Sequence, residues 1–164
     1  DLATNGRAGG VGELQAALAS SDSGVRYWGA VGLLCRGEPA VDLAKAELRA
    51  ALDDDSPYVR LVAAESLGRY AEPFDREPSL DALCNIARQE TNGYAALEAV
   101  NALEYVCLDL VQHGVEPQTL TTRLQSIDPD RNYLPESRLN KKLVAWPQRV
   151  LAHIEEIVTP DITN

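Results

Sequence analysis

The sequence repeats itself. Residues 13–34 lie over residues 47–68 at an offset of 34, and Glu13/Glu47, Leu14/Leu48, Ala16/Ala50, Ala17/Ala51, Leu18/Leu52, Val25/Val59, Arg26/Arg60, Ala30/Ala64 and Leu33/Leu67 are identical pairs. A period in this range marks an array of helical units, each of which buries its apolar face only against a neighbour. The correspondence runs through the turn and its Val-Arg as well as through the helices, which two unrelated Ala/Leu helices would not reproduce.

Within each unit the first helix carries Leu14, Ala17 and Leu18, or Leu48, Ala51 and Leu52, at the i, i+3, i+4 spacing of one helix face. Ser20-Ser21-Asp22-Ser23 and Asp53-Asp54-Asp55-Ser56 then supply short oxygen-bearing side chains that can accept the orphan N–H groups of the next helix. Pro57 suits the first helical position, where its missing N–H costs nothing. Second helices are predicted over residues 25–34 and 59–70, with Gly29, Ala30 and Gly32, or Ala63, Ala64 and Gly68, permitting close approach. Gly37 ends the first of these, and Pro39 starts the next unit.

A third, more diverged copy places a first helix over 80–88, a turn at Thr91-Asn92-Gly93 and a longer second helix over 94–112. Ala63/Ala99 and Leu67/Leu103 now match at an offset of 36, and Ala96 stands where the earlier copies have Arg26 and Arg60. Gly114 and Pro117 close that helix. The remainder reads as a short helix near 118–127, a loop around 128–132 and a terminal helix within 136–158. The favoured form of that helix starts at Pro147, with Leu151, Ile154 and Val158 on one face.

The expected fold class is therefore all-α: an α–α superhelix of about three to four stacked helix pairs. Residues 1–12, with four glycines, are expected as a linker, 13–158 as the repeat domain (13–37, 38–71, 79–113 and 118–158), and 159–164 as a tail. Composition agrees, since the apolar residues are mostly Ala, Leu and Val, with one Phe and two Trp. A chain of about 150 residues buries roughly 68–70% of its unfolded surface, enough for a core without staples. With no Met in the sequence, the chain is expected to be a piece of a longer protein.

A net charge of −10 opposes nucleic-acid binding, which draws its energy from Lys and Arg displacing phosphate counterions. No stretch reaches the roughly 18 uncharged apolar residues of a spanning helix, so no membrane insertion is expected. Cys35, Cys84 and Cys107 are odd in number and lack Cys-x-x-Cys spacing, which predicts buried free thiols rather than disulfides or zinc ligands. His113 and His153 read as surface groups near helix ends. Asp53-Asp54-Asp55 reads as a capping turn, because three consecutive carboxylates do not converge on one ion. No catalytic residue, metal or cofactor is expected, and the chain is read as a non-enzyme.

The strings 25–34 (Val-Arg-Tyr-Trp-Gly-Ala-Val-Gly-Leu-Leu) and 56–70, around Val59-Arg60 and Ala63-Ala64, resemble HEAT-type repeats. Together with residues 92–103 (Asn-Gly-Tyr-Ala-Ala-Leu-Glu-Ala-Val-Asn-Ala-Leu), they resemble the C-terminal helical region of certain bacterial sulfatase-family proteins, over roughly residues 13–106. That resemblance implies an upstream catalytic domain with a formylglycine nucleophile and a calcium ion, and an extracytoplasmic location. The Cys/Ser-x-Pro-x-Arg motif of such a nucleophile is absent around Cys35, Cys84 and Cys107. The function expected is docking on that catalytic domain or another protein, or mediating assembly.

Two sets of residues stand out. Arg26 and Arg60 occupy the same repeat position beside acidic turns, which favours a structural ladder of Arg–carboxylate pairs. Arg131, Arg138, Lys141, Lys142 and Arg149 form a basic stretch that could contact a partner or a sulfated glycan, the latter being the alternative function. Tyr27 and Trp28 are expected in core and inter-repeat packing rather than as a stacking platform.

Overall fold

The structure, a computed structural model, describes residues 10–128 and 146–158. Among the described residues the regular structure is helical throughout: α1 (Val11–Leu18), α2 (Ser23–Arg36), α3 (Glu38–Leu43), α4 (Lys45–Ala51), α5 (Pro57–Tyr70), α6 (Pro73–Gln89), α7 (Gly93–Gln112), α8 (Pro117–Leu124) and α9 (Trp146–Val158). These helices pack in adjacent pairs, the arrangement of an α–α repeat. The chain divides into two compact units, Asp1–Ala82 and Leu83–Asn164.

In the first unit α1 packs on α2 and α4 on α5, while α2 lies against α5 and α1 against α4. First helices thus neighbour first helices, and second helices neighbour second helices. Asp22 caps α2, its Oδ1 accepting from the N–H of Gly24 at 2.7 Å and of Val25 at 3.1 Å. Gly37, at φ 74°, ends α2 and starts α3 in a left-handed conformation that a side chain would strain. α1 begins at Val11, a buried residue within the stretch expected as linker.

The first helix of the second repeat is not continuous. It breaks at Ala44 (φ −108°, ψ 14°) into α3 and α4, and the pair Asp42–Lys45 at 2.7 Å spans the break. α2 approaches α1 closely at two glycines: a Cβ on Gly29 would lie 3.0 Å from Ala17 Cβ and 3.1 Å from the Leu14 carbonyl oxygen, and one on Gly32 would lie 2.6 Å from Leu14 Cδ2. Ala30, Leu33, Ala40, Val41, Ala44, Leu48, Val59, Ala63, Ala64 and Leu67 are wholly buried. Leu33 and Leu67, equivalent in the repeat, thus both sit in the core.

α6 starts at Pro73, ahead of the Leu80 that apolar periodicity indicates, and it contains Pro78. Ser79 is buried one residue on, its hydroxyl donating to the Asp75 carbonyl at 2.7 Å. The Asp75 carboxylate, also buried, is gripped by both Arg49 Nε and Arg49 Nη2, the latter at 2.8 Å from Oδ2. The sequence gives no hint of this pair, because Arg49 falls opposite Gln15 in the repeat and Asp75 lies outside the repeat correspondence.

In the second unit α9 packs on α7 and α8. Asn92 caps α7 as Asp22 caps α2, accepting from Tyr94 N–H at 3.1 Å and Ala95 N–H at 3.3 Å. α7 closes with Gly114 N–H donating to Val111 O and Val115 N–H to Leu110 O, a double wrap of the last turn. Leu83, Ala87, Ala96, Ala99, Leu103, Val106, Cys107 and Ile154 are core residues. Leu151, Ile154 and Val158 are buried along one face of α9.

Candidate functional site

The turn before each second helix has the same construction. Two residues ahead of the cap, Ser20 Oγ accepts from Asp22 N–H at 3.2 Å, Asp54 Oδ1 from Ser56 N–H at 2.8 Å, and Glu90 Oε1 from Asn92 N–H at 3.0 Å. The arginine one turn into the helix reaches back: Arg26 Nη1 donates to the carbonyls of Ser20 and Ser21, and Arg60 Nη1 to those of Asp54 and Asp55. Each arginine therefore ties down the carbonyls of its own turn.

Arg26 also crosses to the next repeat. Its Nε donates to Asp54 Oδ2 at 2.7 Å and its Nη2 to Asp54 Oδ1 at 2.9 Å, with Asp55 as a further partner. The hydrogen bonds from Arg26 hold the Asp54 carboxyl below the usual carboxylate range, assisted by Ser56 N–H and opposed by burial. Of the three consecutive aspartates, Asp54 takes two of the inter-repeat hydrogen bonds and Asp55 a further one, whereas Asp53 is exposed.

One flank of the first unit carries an exposed tryptophan. Gly29, Ala30 and Leu33 point inward, which leaves Trp28 on the outer flank of α2, 67% exposed. Trp28 thus lies outside the core and inter-repeat packing expected of it. Cys35, two turns further along the same flank, is exposed for the same reason. Tyr27 is half-buried, edge-to-face with Trp28 (centroids 5.3 Å apart, planes at 71°) and with Tyr58 of α5 (6.4 Å, 83°). Where α2 and α5 begin, Ser23, Gly24, Tyr27, Ser56 and Tyr58 line an open cleft of about 370 Å³. Val25 adds a further exposed apolar side chain at this end of α2.

In the second unit Tyr94, Tyr105 and Leu108 are exposed along one face of α7. Tyr94 follows its turn as Tyr58 follows the previous one, an aromatic recurrence that the sequence carries where the Arg repeat lapses.

Of the basic stretch, Arg131, Arg138, Lys141 and Lys142 lie outside the described residues, and Arg149 is exposed on α9. His113 caps α7, its Nδ1 2.6 Å from Asp109 O, and His153 Nδ1 lies 2.5 Å from Glu104 Oε1. Cys84 and Cys107 are buried, and burial pushes the Cys107 thiol up to about 12, with Cys84 adding to the shift. Among the described residues, no three His, Cys, Asp or Glu side chains are grouped to hold a metal ion. No helix among them is long and apolar enough to cross a membrane.

Comparison with known proteins matches residues 13–104 to the family described as HEAT repeats. No curated protein and no solved structure matches the chain.

Proposed function

The chain belongs to the HEAT-repeat family, and from that premise we propose that it is a non-catalytic module that binds another protein through the aromatic flank of its first unit. HEAT repeats are typically protein-interaction scaffolds. The observation that carries the reading is Trp28, which leaves most of its indole in water beside Tyr27 and Tyr58. A large aromatic left in water lowers its free energy by entering an interface, and Trp and Tyr are the residue types that dominate interface energetics.

A finer reading names the partner as an upstream catalytic domain of a sulfatase-like protein. Its support is the likeness of the strings at 25–34 and 92–103 to the helical region of that family. The alternative role, contact with a sulfated glycan, draws on Arg149 and its basic neighbours in sequence.

Affinity capture with the wild-type chain and with Trp28→Ala, followed by titration of the retained protein, tests the interaction. Trp28→Ala should weaken binding by about 2 kcal/mol or more, as central interface aromatics do. Unchanged affinity would remove this flank from the interface. Retention on a sulfated-polysaccharide column that is abolished by Lys141→Glu with Lys142→Glu would favour the glycan role instead.

A further inference from the structure

We propose that the cleft between α2 and α5 receives a cationic side chain, lysine or arginine, presented by the protein partner. The proposal rests on the interaction reading above and names the chemistry that this surface selects.

The cleft has aromatic walls. Tyr27 and Tyr58 line it with their rings nearly perpendicular, and Trp28 stands beside Tyr27. Ring faces attract a cation placed within about 6 Å of their centroids, and the serine hydroxyls of Ser23 and Ser56 border the same opening.

Its rim is acidic. Asp22 immediately precedes the lining residue Ser23, and Asp53, Asp54 and Asp55 run up to the lining residue Ser56. Only Arg26 and Arg60 of these two turns carry positive charge. Arg26 is engaged by Asp54 and Asp55, and both arginines donate to the carbonyls of their own turns. Asp53 is exposed, and the Asp55 side chain is 87% exposed. The whole chain carries −10, so the wider field and the local rim have the same sign. A carboxylate or phosphate would be repelled on approach, whereas a guanidinium or ammonium is drawn toward a cleft lined by two tyrosines.

The experiment uses the full chain, isotope-labelled, and two defined probes: the peptide acetyl-Gly-Ser-Arg-Ser-Gly-amide and its counterpart with Glu in place of Arg. The arginine peptide should produce saturable shifts at the Trp28 indole and at the amides of Ser23, Gly24, Ser56 and Tyr58. The glutamate peptide should bind at least about tenfold more weakly, and added salt should weaken the arginine peptide. Asp53→Lys changes an exposed charge without touching the rings, so the fold survives. It should cost the arginine peptide about threefold in affinity or more. Tyr58→Leu should cost at least as much.

Equal binding of the two peptides, shifts centred away from the cleft, or indifference to both substitutions would overturn the assignment. If Trp28→Ala abolishes capture of the natural partner while the arginine peptide leaves the cleft unperturbed, the cationic chemistry fails and the interaction reading stands.

Discussion

At the scale of the residue, Asp54 does two jobs. It orders its own turn through Ser56 N–H, accepts two hydrogen bonds from Arg26, and so joins two repeats. Its carboxyl titrates below the usual range, chiefly because of the Arg26 bonds. A carboxylate whose folded pKa lies below its unfolded value of about 3.9 contributes stability that is present above that value. That contribution is lost as pH falls through the folded pKa. Asp54→Asn should therefore lower the urea midpoint at neutral pH, and the difference from wild type should shrink as the pH is taken below about 4. A gap that stays constant down to about pH 3 would show that the ionised form confers no advantage. The sequence displays the recurrence of Arg26 and Arg60, and it places an acidic turn nearby. It does not say which of Asp53, Asp54 and Asp55 takes the guanidinium, because three adjacent turn residues point in three directions that only the backbone sets.

At the scale of the element, the closeness of α1 and α2 depends on two glycines of different character. A methyl on Gly29 meets backbone and Ala17 Cβ, which cannot move without shifting a helix, whereas a methyl on Gly32 meets the far end of the Leu14 side chain, which can rotate away. Overpacking costs about 1–3 kcal/mol, while replacing a mid-helix glycine by alanine returns about 1 kcal/mol of helix propensity. Gly29→Ala should be net destabilising by up to about 2 kcal/mol, and Gly32→Ala should fall nearer zero. Chemical denaturation of the two variants checks the order, and a larger loss at Gly32 would contradict it. Periodicity made the second helices readable, since Leu33 and Leu67 fall at one repeat position and both are buried. It did not reveal the break at Ala44, where residues of good helix propensity continue on both sides, nor the early start of α6 at Pro73. The exposure of Trp28 runs against the packing role that its side chain alone suggests. Which flank of α2 faces outward follows from the glycines against α1, and a tryptophan beside them is carried to the water side.

At the scale of the whole molecule, the chain contains two compact units with separate sets of core residues. In repeat proteins stability is close to a sum of unit and nearest-neighbour terms, so a core lesion should be felt locally first. Leu33→Ala should cost about 2–5 kcal/mol. Hydrogen exchange should then accelerate most in α1 to α5 and less in α7 to α9. Equal acceleration in both units would mean that they open together. The aromatic flank was the least legible feature at this scale, because exposure belongs to the packed array and no single helix declares it. The turns carry one more consequence. The repeat containing α5 holds both parts of a connector: an acceptor at Asp54, which takes the arginine one repeat earlier, and an arginine at position 60 that grips the carbonyls of its own turn as that earlier arginine does. Such a segment is self-complementary, so a gene duplication that copied it in tandem would deliver a new unit with its fastening already in register. Growth by whole units preserves the joint, and growth by any other length severs it.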